Sequence, residues 1–342
     1  MMNRRQHLRM SLGVLSGLAG AGFLAATSQA WIWREKIFQG FGTTLWLRAA
    51  HTQLDPLEEA LQAAVAAVQA VERQMSLFDP HSELCRLNSA GSLRNASADL
   101  RAVLSLGRDV AQGSQGAFDL STQPLWEVWS DWMQSQAGRS AGPSPVWQAR
   151  IERARSRVDW RGIQWADDSV YIAPGMALSL NGIAQGYAAD RAKAVLQSHG
   201  IAHAMLDTGE TALIGHSPNG PWRLSTASGL KSSQATERLP SAPVFLPGHR
   251  AVASSSDDHT RFSSDRRFHH IVDPRTGYSP SVWSHVTVLA PRAAVADALT
   301  KVFFMLKPAE VLPTAKWWGV DVLMRSKEGT WLISPGVQLL TS

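Results

Sequence analysis

The order of strand and helix signals is the feature that most constrains how this chain can fold. Apolar residues recur at intervals of three and four along 56–75, which predicts an amphipathic helix. Further helices are predicted at 100–110, 183–198, 293–306 and 308–317. Strands are predicted at 41–47, around Val158, and at 170–172, 178–180, 204–206, 222–226, 250–253, 285–289, 320–324 and 331–334. Because the two kinds of element alternate irregularly, without the even spacing of a doubly wound nucleotide-binding fold, we expect an α+β fold with mixed sheets and packed helices.

The first thirty residues have the layout of an export signal. Arg4 and Arg5 lie in a segment close to the twin-arginine pattern, and the apolar stretch 10–27 ends just before Ser28-Gln29-Ala30, with small residues where a signal peptidase reads. We therefore predict a twin-arginine signal peptide over 1–30, a single functional domain over 31–342 and a periplasmic location. The alternative is a retained anchor, so association with a membrane is expected only through an uncleaved signal. The apolar stretch, with four glycines and two serines, is barely long enough to span a bilayer.

The net charge and the cysteine content argue against a nucleic-acid-binding protein and against a disulfide-stabilised one. The formal net charge is +5, and removal of the signal takes away Arg4, Arg5 and Arg9 but no acid, which leaves +2. No nucleic-acid partner is therefore expected. The single cysteine, Cys85, cannot form an internal disulfide, so stability must come from packing.

A histidine pair precedes a tight turn near the C-terminal third of the chain. In Phe-His-His-Ile-Val-Asp-Pro-Arg-Thr-Gly-Tyr, Pro274 fixes φ and Gly277 can supply a positive φ, which is expected to place His269 and His270 at a strand end. A histidine there could act as a general base toward a hydroxyl or contact a phosphate. The alternative is a histidine pair that merely faces solvent.

Two further segments could hold a charged ligand. Gly182 lies where a strand passes into a helix, and the free backbone groups of a helix N-terminus favour an anion. Asp297 lies inside an otherwise apolar helix, where an acid is costly unless it is paired or bound to a metal. An oxygen ligand one turn later would suit Mg²⁺, whereas Lys301 at the i+4 position would instead form a salt bridge.

In this order, these segments resemble the ApbE family of FAD:protein FMN transferases over about residues 41–306. Five of the family's seven characteristic segments are nearly intact, among them Gly-Ala-Phe-Asp at 116–119, Gly-Ile-Ala at 182–184, His-Ile-Val-Asp-Pro-Arg-Thr-Gly at 270–277 and Ala-Asp-Ala at 296–298. The resemblance implies an ApbE-like flavin transferase fold. It also implies that FAD contacts Phe41, Phe78, Ala117, Phe118, Asp119, Ser179, Gln185 and Ile271, with Phe78 stacked on the isoalloxazine ring.

The resemblance also implies a reaction, a metal and a partner. His270 matches the histidine expected to deprotonate the acceptor hydroxyl, and Mg²⁺ would be held by the carbonyl of Gly182, by Asp297 and by the residue at the position of Lys301. FMN would pass from FAD to a Thr or Ser hydroxyl of a periplasm-facing flavoprotein of an electron-transfer system, with release of AMP. The alternatives are an FAD- or FMN-binding protein or flavin chaperone on the same fold, and an FAD pyrophosphatase that uses water as the acceptor.

This sequence departs from the family pattern at the metal site. Lys301 occupies the position of a metal-binding Thr, and an ammonium cannot ligate Mg²⁺. Thr300 points about 100° away on the helix and is a poor substitute. Gln185 replaces a Lys that contacts FAD. One hypothesis is that the Lys301 ammonium takes the place of the metal, and another is that Glu210 rebuilds part of the metal site.

Overall fold

The computed structural model describes residues 30–135, 142–226, 242–258 and 260–340. The predicted export signal over 1–30 lies outside the described residues except for Ala30, so its boundary stays a prediction. From Trp31 onward the chain forms one compact unit. None of the helices in the described ranges is long and apolar enough to cross a membrane.

The described residues contain eight α-helices and fourteen strands. The helices are α1 (Leu54–Met75), α2 (Glu83–Ala90), α3 (Ala98–Gly113), α4 (Gln123–Gln134), α5 (Pro145–Arg155), α6 (Ala184–Ser198), α7 (Ala293–Phe304) and α8 (Pro308–Trp318). The strands are β1 (Ile32–Gly40), β2 (Thr43–His51), β3 (Ser92–Leu93), β4 (Ile163–Ala166), β5 (Ser169–Ile172), β6 (His203–Asp207), β7 (Thr211–Ile214), β8 (Leu224–Ser225), β9 (Val244–Leu246), β10 (Ala251–Ser256), β11 (Trp283–Ala290), β12 (Asp321–Ser326), β13 (Trp331–Ile333) and β14 (Gln338–Leu339).

One large antiparallel sheet forms the centre of the fold. Its eight strands lie in the order β1-β2-β6-β7-β10-β11-β12-β13. Helices α1, α6 and α7 cover one face, where Leu45, Leu47 and Ala49 of β2 point inward at alternate positions. On the other face, Leu213 and Leu323 pack with Phe245 of the small sheet β14-β9-β8. The large sheet is therefore buried on both faces, and helix α7 lies directly against its central strands.

Helices α4 and α5 form a separate aromatic layer that supports the histidine-containing segment. Trp129 stacks on Phe268 at a ring-centroid distance of 4.8 Å, and its Nε1 donates a hydrogen bond to the Gly277 carbonyl at 2.8 Å. Trp132 packs edge-on against the same Phe268 ring at 5.5 Å. These contacts fix the segment 268–278 against the body of the protein.

The α+β fold class is confirmed, with helices at all five predicted places. Two predicted strands are wrong: the chain around Val158 is a loop between α5 and a short 3-10 helix, and 178–180 is extended but does not join a sheet. In that second segment the Leu178 amide donates to the Asn88 side chain at 2.7 Å and the Ser179 amide to the Leu120 carbonyl at 2.8 Å. Leu178 and Leu180 are buried alternately as in a strand, which explains the error.

Helices α6 and α7 approach each other closely at Gly186. A β-carbon at this position would overlap the backbone carbonyl of Ala293. Beside this contact, the Asp190 carboxylate accepts hydrogen bonds from the amides of Ala293 at 2.8 Å and Ala294 at 3.0 Å. Asp190 therefore satisfies two amides at the N-terminus of α7 from a neighbouring helix.

The substitution Gly186→Ala is expected to lower the free energy of unfolding by about 3 kcal/mol, because backbone atoms must move apart to admit the methyl group. Urea denaturation would measure the change. The exposed Gln197→Ala on the same helix is the control and should change stability by less than about 0.5 kcal/mol. Equal effects of the two variants would contradict this account of the helix contact.

Candidate functional site

Two adjoining cavities bring most of the predicted site residues together. The larger, of about 760 Å³, is lined by residues that include Phe41, Phe78 and Gln185. The smaller, of about 140 Å³, is lined by residues that include Ala117, Phe118, Asp119, Ser179, Gly182 and Ile271. Asn181, His270 and Lys301 line both cavities, so these three residues mark the place where the two spaces meet.

The aromatic end of the large cavity is built from two loops. Phe41 lies at the tip of the β1–β2 hairpin, and Phe78 follows the end of α1. The Phe78 side chain is 81% exposed, which is unusual for a large apolar residue. Both rings are therefore available to a planar ligand in the cavity.

Asp119 organises the loop beside the small cavity. Its carboxylate accepts hydrogen bonds from the Ser121 amide at 2.8 Å, the Ser121 hydroxyl at 2.7 Å and the Trp160 amide at 3.0 Å. Burial raises the pKa of Asp119, and the hydrogen bonds from Ser121 and Trp160 oppose this effect. The carboxylate thus shapes the loop that carries Ala117 and Phe118 into the cavity wall.

Gln185 lies at the start of α6, against the loop between β6 and β7. A β-carbon at Gly209, which has a φ of 97°, would collide with the Gln185 side chain. The Thr208 hydroxyl also donates to the Gln185 carbonyl at 3.0 Å. The loop that carries Glu210 is therefore fixed by the first turn of α6.

Lys301 occupies the space between the predicted metal ligands. Its Nζ lies 2.6 Å from Asp297 Oδ1 and 3.3 Å from the Asp297 carbonyl oxygen. A β-carbon on Gly182 would lie 3.1 Å from Lys301 Cε, so the lysine side chain also runs along Gly182. Asp297 is 1% exposed, and its other carboxylate oxygen accepts the Gly186 amide at 3.3 Å.

These contacts do not fit a site for Mg²⁺. The Asp297 carboxylate is already neutralised by an ammonium, and a lysine supplies only donors, whereas Mg²⁺ requires oxygen ligands. Thr300 offers no replacement, because its buried hydroxyl donates to the Asp297 carbonyl at 2.7 Å and shares a hydrogen bond with Ser255 at 2.8 Å. The residues present form an ion pair where the resemblance implies a metal.

Glu210 adds a second buried acid beside this ion pair. Its carboxylate accepts the Ser254 amide at 3.2 Å, and the residue lines the large cavity although it is only 6% exposed. Burial raises the pKa of Glu210 well above its usual range, the nearby Asp297 charge raises it further, and Lys301 opposes both. One lysine therefore lies beside two buried acids.

His270 faces the junction of the cavities, whereas His269 is buried behind it. His269 forms a single isolated bridge with Arg261, and neither histidine belongs to or follows a strand, so the predicted strand end is wrong. His270 Nδ1 lies 3.2 Å from the Thr260 carbonyl, which can only accept, so the proton is assigned to Nδ1 and Nε2 is the basic nitrogen. Gly277 has the expected positive φ, 79°.

Several residues of the site have no signal in the sequence. The Glu72 carboxylate accepts the Phe41 amide at 2.6 Å across 31 residues of chain. His285, Arg325 and Trp331 line the large cavity and lie opposite one another on β11, β12 and β13. These three residues are neighbours because of the pairing register of the three strands, and the register between distant strands cannot be read from a single sequence.

A comparison with models of protein families shows to which family the chain belongs. The model of the ApbE family matches residues 41–324. The chain belongs to the ApbE family. The match includes most of the residues that line the two cavities and most of the large sheet, and it extends the resemblance seen in the sequence into β12.

Curated relatives share about a quarter of their residues with this ApbE family member. The FAD:protein FMN transferase of Klebsiella pneumoniae is 26% identical over 289 residues, which are 80% of each chain. That of Haemophilus influenzae is 27% identical over 276 residues, or 76% of each chain. That of Treponema pallidum is 27% identical over 264 residues.

Solved structures of the family have the same fold. The ApbE protein of Thermotoga maritima superimposes with a TM-score of 0.76 at 23% identity, covering 89% of this chain and 97% of that one. The apo flavinyl transferase ApbE of Pseudomonas stutzeri gives 0.73 at 22% identity, covering 89% and 95%. At this level of identity the likeness confirms the fold.

His269 makes the stability of the fold sensitive to acid. Burial lowers the pKa of His269 to about 3, against an ordinary value of 6.5. Below pH 6.5 the unfolded chain binds a proton that the folded chain does not bind until about pH 3, so stability falls as the pH falls through this window. Between pH 7 and pH 5 we expect His269 to remove about 2 kcal/mol of unfolding free energy.

The check is urea denaturation at pH 7 and pH 5 of the unaltered chain and of His269→Gln, which cannot titrate but can still donate to the Pro280 carbonyl. Between pH 7 and pH 5 the unfolding free energy of the variant should fall by about 2 kcal/mol less than that of the unaltered chain, because all other titrating groups are the same in both proteins. An identical pH dependence in both proteins would show that His269 is not the responsible group.

Proposed function

We propose that this chain transfers FMN from FAD to a Thr or Ser hydroxyl of another protein and releases AMP. The names of the curated relatives support FAD as the FMN donor and a protein as the acceptor. The observation that carries the proposal is the junction of the two cavities, where His270 and Lys301 line the same space. A base and a cation are the two groups that phosphoryl transfer to a hydroxyl needs.

Groups at this junction can carry out each step of the transfer. The acceptor hydroxyl gives its proton to His270 Nε2 while its oxygen forms a bond to the phosphorus of the FMN half of FAD. The bond between that phosphorus and the bridging oxygen breaks, and the bridging oxygen leaves as part of AMP. The large cavity, which is lined by the exposed Phe78 and the half-buried Phe41, takes the flavin half, and the small cavity meets it at the junction.

We further propose that the Lys301 ammonium meets the pyrophosphate directly and donates to one of its oxygens, in the place that a divalent cation would occupy. An ammonium has three donors, and within the described residues Lys301 uses one for the Asp297 carboxylate and one for the Asp297 carbonyl. The third can donate to a phosphate oxygen at the cavity junction. Preorganised charge of this kind stabilises a leaving phosphate without prior rearrangement of the site.

The unaltered chain should form a covalent fluorescent adduct on a peptide with an acceptor Thr and should release AMP in equal amount. His270→Ala should lower kcat by roughly 10²-fold or more while FAD binding changes little, because the base acts only on the acceptor proton. Chromatographic detection of AMP and in-gel flavin fluorescence measure the two products. FAD bound without adduct or AMP would indicate a flavin-binding protein, and AMP with free FMN would indicate a pyrophosphatase.

Transfer should survive EDTA, since the cation at the junction is part of the chain. Lys301→Met removes the charge at similar length and should lower kcat by roughly 10²-fold. Lys301→Thr places the family's residue beside Asp297, and its activity should depend on added Mg²⁺. Complete loss of an otherwise robust activity of the unaltered chain in EDTA would refute the role of Lys301.

We also propose that the chain acts in the periplasm after export by the twin-arginine route, on a flavoprotein of an electron-transfer system. The support is the segment 1–30, with Arg4 and Arg5 at its start. Cell fractionation, with both arginines intact or replaced by lysine, is the test of export.

A further inference from the structure

The tip of the β1–β2 hairpin has an unusual residue in a strained conformation. Gly40 pairs with Thr43, so Phe41 and Gly42 are the two turn residues, with φ values of 52° and 72°. Turns of this kind favour Asn-Gly, because both residues need a positive φ. A phenylalanine is unfavourable at the first position, and such strain persists only where neighbouring groups enforce it.

Glu72 is the group that enforces the conformation of Phe41. Its Oε1 accepts the Phe41 amide at 2.6 Å, which is the short distance of a hydrogen bond to a charged acceptor. Glu72 is half-buried, and its carboxylate has no ion-pair partner within the described ranges. The hydrogen bond to the Phe41 amide is therefore the main polar contact that the structure gives to the Glu72 carboxylate.

Glu72 also contacts the start of the loop that follows α1 and carries Phe78. The Glu72 carbonyl accepts the Ser76 amide at 2.9 Å, which closes the last turn of α1. Ser76 in turn accepts the Phe78 amide on its hydroxyl at 3.1 Å. Through one side chain and one carbonyl, Glu72 connects the loops that carry Phe41 and Phe78 into the large cavity.

We propose that Glu72 is a positioning residue for the flavin ring. Its carboxylate holds the amide of Phe41 so that the Phe41 ring faces the space beside Phe78, and it thereby sets the affinity for the isoalloxazine half of FAD. The inference rests on the proposed function only in taking a flavin as the ligand of the large cavity. Glu72 itself touches neither the reacting phosphorus nor the acceptor hydroxyl.

The experiment compares the unaltered full chain with its Glu72→Ala, Glu72→Gln and Glu58→Ala variants. Glu58 is the matched control, since it also connects α1 to β1, through Arg34 at 3.7 Å and Lys36 at 2.7 Å, but does not bind the hairpin tip. Flavin fluorescence measures binding of FAD and FMN, calorimetry measures binding of ADP, which lacks the ring, and the transfer assay gives KM and kcat.

Glu72→Ala should raise the Kd for FAD and FMN and the KM for FAD by roughly tenfold, with kcat changed less than about threefold, because the ring-binding conformation is no longer favoured. ADP binding should stay the same, which a general loss of structure would not allow. Glu72→Gln keeps an acceptor for the Phe41 amide and should recover most of the affinity. Glu58→Ala should bind both ligands as the unaltered chain does.

Three results would overturn the inference: unchanged FMN binding by Glu72→Ala, an equal loss of FMN and ADP binding, or the same loss in Glu58→Ala. None of these depends on catalysis. If the unaltered chain binds FAD but forms no adduct, the proposed function fails while the binding comparison still decides the role of Glu72.

Discussion

The contact between α6 and α7 is the constraint on which the rest of the site depends. Gly186 has no side chain, so the backbone of Ala293 can pack directly against it. The Asp190 carboxylate accepts hydrogen bonds from the first two amides of α7. Burial raises the pKa of Asp190, and its hydrogen bonds to the amides of Ala294 and Ala293 oppose this effect. With the start of α7 fixed in this way, Asp297 and Lys301 are held one and two turns further along, beside the N-terminal end of α6.

The ion pair on α7 explains how this helix can be stable without a metal. An acid that is 1% exposed destabilises a fold unless a cation compensates it. Lys301 provides that cation from the same helix, at the spacing that brings side chains together one turn apart. Folding of the helix is thereby separated from ligand binding, because no ion has to be captured before Asp297 can be buried. Glu210, also buried next to the pair, has its charge disfavoured by the same surroundings.

Features set by local chemistry could be predicted from the sequence, and features set by distant contacts could not. The spacing of Asp297 and Lys301 already allowed their salt bridge, and Gly277 could be assigned a positive φ because its turn is contained in five residues. The burial of His269 was missed, since it depends on packing against Phe304 of α7, at a ring-centroid distance of 6.2 Å, and on the contact of its Nε2 with the Pro280 carbonyl. The bond from Glu72 to Phe41 was missed as well, because it joins a helix to a hairpin 31 residues away.

The loops of the site are held before any ligand arrives, and this bears on how Lys301 can act. Glu72 binds the Phe41 amide, Asn88 binds the Leu178 amide, and Asp119 binds the Trp160 amide, so the cavity walls are fixed by side chain to backbone hydrogen bonds. Lys301 is fixed in the same manner through two of its three donors. A phosphate can therefore be met by the third donor while the ammonium stays beside Asp297. The charge that replaces a metal in our proposal would then need no movement to act, which is the condition under which electrostatic stabilisation of a leaving group is most effective.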